Sequence, residues 1–112
     1  MDKSNAWIEE RAAEALTFLA DTDEEDANLR SEMVKAERRL KLTEDAVFKM
    51  STGSIEARKA EARTSIETQA VFVEYAKSMQ DFHSLHNKRT TCRDKLEWAR
   101  TLSVNRRQGM IL

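Results

Sequence analysis

Between Leu29 and Met50, apolar or small residues recur at Leu29, Met33, Ala36, Leu40, Thr43, Val47 and Met50, spaced alternately by four and three positions. That alternation keeps one face of a helix aligned through successive heptads, so it marks a seam for one long partner helix. The residues between, as in "KAERRLKLTED", are mostly charged, as the solvated sides of such a helix should be. Further on, Val71, Tyr75, Phe82, Leu85, Cys92, Leu96 and Ala99 fall within about 120° of a helical wheel. They predict a final helix from Ser65 to about Arg106, roughly 60 Å long at 1.5 Å per residue.

The first segment, Ser4 to Ala20, is apolar at Trp7, Ile8, Ala12, Ala15, Leu16, Phe18 and Leu19, more than half of the wheel. A stripe that wide implies more than one neighbour. In the "DTDEED" that follows, Thr22 and Glu25 fit a capping box, and acids suit the positive end of a helix dipole. A new helix is therefore predicted from Thr22, with an uninterrupted helix from residue 4 as the alternative. In "STGSIEARKAEARTSIE", Gly53 can stop a helix in the left-handed conformation and Ser54 can cap the next one. "TSIE", Thr64 to Glu67, reads as a second capping box.

The expected fold is all-α: an elongated antiparallel helical hairpin, coiled-coil-like, with an additional N-terminal helix and a short helix at the turn. Its helices span about 4–20, 22–51, 54–63 and 65–106 in a single domain of residues 1–112. Residues 107–112 form a frayed tail with an apolar tip. The second helix covers only part of the last, and the first can fold back over the remainder, in the same chain or swapped into another. Trp7 or Phe18 then comes within reach of Trp98 and Leu102.

Composition sharpens this picture. There is no proline, there are only two glycines, and charged residues make up 35% of the chain, so helix can run almost throughout. Aromatics at 6% are thin for a self-sufficient core, which predicts a homo-oligomer. The single cysteine, Cys92, excludes an intrachain disulfide and fits a reducing compartment. No apolar run approaches the roughly 20 residues of a membrane span, and the N-terminus lacks the apolar run of a signal peptide. A soluble cytoplasmic protein without a membrane partner is expected.

Candidate chemistry is sparse. His83 and His86 sit three residues apart, but Gln80 stands where a Glu-x-x-His metal site would place glutamate. Cys92 lies on the predicted core face. No Ser/His/Asp set, glycine-rich phosphate loop or paired-cysteine motif occurs. Catalytic residues, metal and cofactors are therefore expected to be none, and the protein is not expected to be an enzyme.

Charge is more suggestive. Residues 1–52 hold 13 acids and 8 bases, whereas residues 53–112 hold 7 acids and 11 bases. Arg89, Arg93, Arg100 and Arg107 lie within about 40° on the wheel, Lys88, Lys95 and Arg106 form a second basic ridge, and Trp98 falls between the two basic clusters in sequence. Such rows bind phosphates through Coulomb attraction and counterion release, and an exposed tryptophan can stack on an unpaired base. These eight residues form the candidate nucleic-acid site. The plainer reading is that the arginines flank the seam and pair with acids such as Glu24, Glu25 and Glu32. The wide face of the first helix, with Trp7, Ile8, Leu16, Phe18 and Leu19, forms a candidate protein interface.

"LADTDEEDANLRSEMVKAE", "RKAEARTSIE", "HNKRTT" and the closing "NRRQG" resemble short helical proteins of unassigned function from tailed bacteriophages and prophages. Residues 16 to 109 carry the resemblance. Members are often encoded near recombination genes, and no catalytic residues can be carried over from them. The resemblance implies a non-catalytic accessory factor in DNA recombination or replication, working in the host bacterial cytoplasm. It would engage single-stranded DNA or a phage or host recombination or replication protein bound to it. The alternatives are an adaptor or inhibitor of a host or phage enzyme, acting through the apolar first helix, and a virion assembly protein.

Overall fold

The computed structural model describes residues 3–111, with side chains from Asn5 to Gly109. Three helices build it, α1 (Lys3–Met50), α2 (Ile55–Thr64) and α3 (Ile66–Ile111), and no strand occurs among the described residues. The chain is an all-α helical hairpin in which α1 and α3 pack antiparallel and α2 occupies the turn.

No separate N-terminal helix exists. The heptad that begins at Leu29 continues backward without a break through Asp26, Thr22, Leu19, Ala15, Ala12 and Ile8, all buried or partly buried. A cap at Thr22 would require that residue to leave the helix. Instead the Thr22 hydroxyl donates to the Phe18 carbonyl at 2.7 Å, four residues back, as threonine does inside helices. A cap stabilises a helix by about 1 kcal/mol, less than one well-packed turn of seam contributes. The first segment therefore runs on along α3 rather than folding back over it.

The turn shows both expected breaks. Ser51 closes α1 through N–H bonds to the Val47 and Phe48 carbonyls. Gly53 has φ +110°, a conformation that an L side chain adopts only with strain. Ser54, in extended conformation, accepts from the Ala57 N–H at 3.2 Å and caps α2. Arg58 ties α2 back to α1, donating twice to the Phe48 carbonyl at 3.2 and 3.1 Å and lying 4.3 Å over the Phe48 ring. The second break falls one residue later than the "TSIE" box places it. Ser65 is the cap, accepting from the Thr68 N–H at 3.1 Å and donating to the Thr68 hydroxyl at 2.8 Å. Ser65 and Thr68 are buried, whereas Thr64 and Glu67 are exposed, so packing selects the inner pair.

At the other end, α3 continues through Gly109 to Ile111, so residues 107–111 are helical rather than a frayed tail. The apolar tip, formed by the side chains of residues 110 and 111 and by Leu112, lies outside the described residues.

The chain divides into two compact units. Unit 1 joins α1 up to Asp26 with α3 from Ser84 onward, and unit 2 is Ala27–His83. In unit 1, Trp7 meets Trp98 and Leu19 meets Arg89, which fixes the antiparallel pairing. Ile8, Ala15, Leu85 and Ala99 are its buried apolar residues. In unit 2, Arg39 faces Glu74 at 3.8 Å and Arg30 lies over the Phe82 ring at 4.9 Å, again antiparallel. Its buried apolar residues are Ala36, Ala62 and Phe82.

Candidate interaction surfaces

Arg89 changes the reading of the basic row. It is only 4% exposed. One guanidinium nitrogen donates to the Leu19 carbonyl and to the Thr22 hydroxyl, both at 2.8 Å, and the other donates to Asp23 at 3.2 Å. Its Nε faces Asp26 at 3.8 Å, an ion pair beyond hydrogen-bond length. Arg89 is thus spent inside unit 1, in a polar layer with Thr22, Asp23 and Asp26, and cannot reach a phosphate from that position. Of the row, Arg89 alone is held in the seam, with Asp23 and Asp26 as its partners where the plainer reading expected acids such as Glu24, Glu25 or Glu32.

The sequence held a signal for this. The apolar series on α3 passes from Leu85 to Cys92 with one heptad position missing between them, and Arg89 fills it. Across the seam, α1 places two polar heptad positions in succession, Thr22 and Asp26. A cation in one seam and an anion in the other, each out of pattern, are the two halves of one buried layer.

The remaining bases differ in environment. Lys88, Arg93, Lys95, Arg100 and Arg107 are exposed on α3, and Arg100 pairs with Glu97 of its own helix at 3.2 Å. Arg106 is partly buried and donates to the side chain of Asn5. Trp98 is 44% exposed and packs at right angles to Trp7, which is 46% exposed, with ring centroids 5.4 Å apart. Arg11 lies 5.5 Å from the Trp7 ring and reaches Glu14 at 3.2 Å.

The candidate protein interface divides in the same way. Trp7 and Leu16 face outward, but Ile8 is buried in the seam and Phe18 and Leu19 are partly buried. The apolar width of this segment is explained by one inward and one outward stripe on the same continuous helix. His83 is exposed and meets the Phe82 ring at 5.3 Å, while His86 and Cys92 are partly buried. Among the described residues no group of three or more His, Cys, Asp or Glu side chains could hold a metal ion. None of the helices is long and apolar enough to cross a membrane, among the same residues.

Sequence reasoning missed the outer surface of unit 2. Val34, Leu42, Met50, Ile55, Ile66, Phe72 and Val73 are all exposed there. Leu42, Ala46 and Met50 follow one another at four-residue intervals just beside the seam; Met50, expected as the last seam residue, is 86% exposed and belongs to this second stripe instead. They line an open groove of about 810 Å³ with residues of α2 and α3.

A helical hairpin with outward apolar and basic surfaces is the class that the fold defines. Compared with known proteins, the chain matches no family model, no curated protein and no solved structure. The phage resemblance therefore rests on its quoted segments alone.

Proposed function

We propose that this protein is a non-catalytic helical interaction module, and that unit 1 receives a protein partner on the Trp7–Trp98 surface. One observation carries the reading: two tryptophans stand side by side and about half exposed at a place where the helices bury only small and medium side chains. A tryptophan pair left open to water is a costly way to build a surface, and aromatic anchors of this kind dominate the energetics of protein interfaces. Leu16 extends the apolar area, and Arg11, stacked on Trp7, adds a cation at its border. The test is quantitative capture from the native cell with the intact chain and with Trp7→Ala/Trp98→Ala. A protein retained by the intact chain and lost from the variant supports this reading, while identical captured sets overturn it.

A second reading has its own observation. Lys88, Arg93, Lys95, Arg100 and Arg107 stay exposed on α3 and offer basic surface for single-stranded DNA, without Arg89. The recombination or replication setting implied by the phage resemblance belongs to this reading. Against it stands the neighbouring stretch of α1, where residues up to Asp26 include nine acids and two bases. Fluorescence anisotropy with a labelled single strand decides it. Binding that weakens steeply with salt and is lost in Arg93→Glu/Arg100→Glu supports phosphate contact, and no binding at low salt excludes it.

A further inference from the structure

Independently of the unit 1 reading, we infer that the groove beside Leu42, Ala46 and Met50 in unit 2 is a self-association face on which a second copy of this chain seats. The three side chains share one flank of α1. Leu42 is 57% exposed and Met50 86%, although both are large apolar groups on a helix that already buries its seam face. Together with Thr43 and Val47 of the seam they give this part of α1 an apolar arc wide enough for two neighbours. Within the chain α3 is one long neighbour, and helices that meet two partners are the rule in four-helix bundles.

Surface area argues that the occupant is another copy. The chain exposes 8530 Å². A folded monomer of 12.9 kDa is expected to expose about 6,300 Å². The excess is roughly 2,200 Å² per chain, and removing only half of it from each of two copies buries about 2,200 Å² in total, the size of an obligate homodimer interface. The area belongs to every copy alike, so a two-fold contact removes it from both chains at once.

The rim charges fit the same occupant. Glu61 and Glu67 line the groove, while Lys49 and Arg39, the latter paired with Glu74, stand on α1 three residues after Ala46 and three before Leu42. A patch that meets its own copy needs both signs, so that like charges are not forced together.

Sedimentation velocity from low-micromolar to sub-millimolar protein tests the proposal. The intact chain is expected to sediment as a dimer. Leu42→Glu/Met50→Glu should weaken the dimer at least roughly tenfold, because it would bury carboxylates. Its helical circular dichroism should be unchanged, because both positions are exposed. If that double variant loses helicity, Ala46→Lys, a single change at an exposed helical position, takes its place with the same expectation. Phe72→Glu lies on a separate groove with Glu44 and Arg63 and should leave the dimer intact. A wild-type monomer at all concentrations overturns the proposal, as does a dimer indifferent to the groove variants or one dissociated by Phe72→Glu. A monomer that still loses its captured partner through Trp7→Ala/Trp98→Ala leaves the unit 1 reading standing alone.

Discussion

The two units use the same pair of helices and hold them together differently. Unit 2 has an uncharged seam of Leu29, Met33, Ala36, Leu40, Thr43 and Val47 against Thr68, Val71, Tyr75, Ser78 and Phe82. Unit 1 interrupts its seam with Thr22 and Asp26 on α1 and with buried Arg89 on α3. Its two helical stretches also carry opposite charge, nine acids to two bases up to Asp26 and two acids to seven bases from Ser84 onward. An apolar seam is stabilised by area and tolerates sliding by a heptad, because each step offers a similar partner. A buried ion layer contributes little net stability, because desolvating the charges offsets their attraction. It penalises every register but one, since a shifted Arg89 would be buried without its acids. Unit 1 fixes the register of its own stretches of α1 and α3, and unit 2 supplies aliphatic surface.

The largest effect should come from Arg89. Arg89→Ala removes the cation facing Asp26 and leaves the Thr22 hydroxyl and Leu19 carbonyl without their donor, at a cost of about 4 kcal/mol in urea unfolding. An effect under 1 kcal/mol would mean the layer is not held as described. Phe82→Ala, the corresponding test in unit 2, should cost about 3 kcal/mol, since Phe82 is 5% exposed and the thin surroundings can partly collapse. The comparison predicts that the first change broadens or splits the unfolding transition by freeing the register. The second should lower stability and leave cooperativity intact.

Gly53→Ala comes next. A Cβ there meets only the Ala57 methyl at 3.6 Å, so space is adequate and the positive φ alone should cost about 1–2 kcal/mol. Smallest is Arg93→Glu/Arg100→Glu on the exposed side of unit 1. It should change stability by less than about 0.5 kcal/mol, because the Arg100–Glu97 pair lies in water. A larger loss would place those arginines in the fold with Arg89 and remove them from any phosphate surface.

Much of this was legible in the sequence, and the misses share one cause. The heptad from Leu29 to Val47, the two breaks around a short helix and the core face of α3 follow from local periodicity and capping chemistry, whereas Met50, expected as the last seam residue, is exposed. The continuity of α1 through "DTDEED" does not. Thr22 with Glu25 reads as a helix start when taken alone, and only the partner of Thr22 and Asp26 on α3, 63 to 67 residues away, turns this stretch into helix interior. Arg89 was grouped with Arg93 and Arg100 because a wheel records angle, not depth. Arg107 shares its wheel angle and is exposed, so angle alone does not separate the buried arginine from the others. The outward stripes of unit 2 were hidden for the opposite reason, since Leu42 and Met50 look like core until the helices are seen to bury no more than one face each.

A double-mutant cycle on Arg89→Met and Asp26→Leu tests the central claim most directly. Each single change should destabilise by about 3 kcal/mol, and the double variant should recover to within about 1 kcal/mol of the parent, because an apolar pair replaces an ion pair with no charge left buried. Single and double effects that simply add would contradict the account, since Arg89 and Asp26 would then not be coupled across the layer.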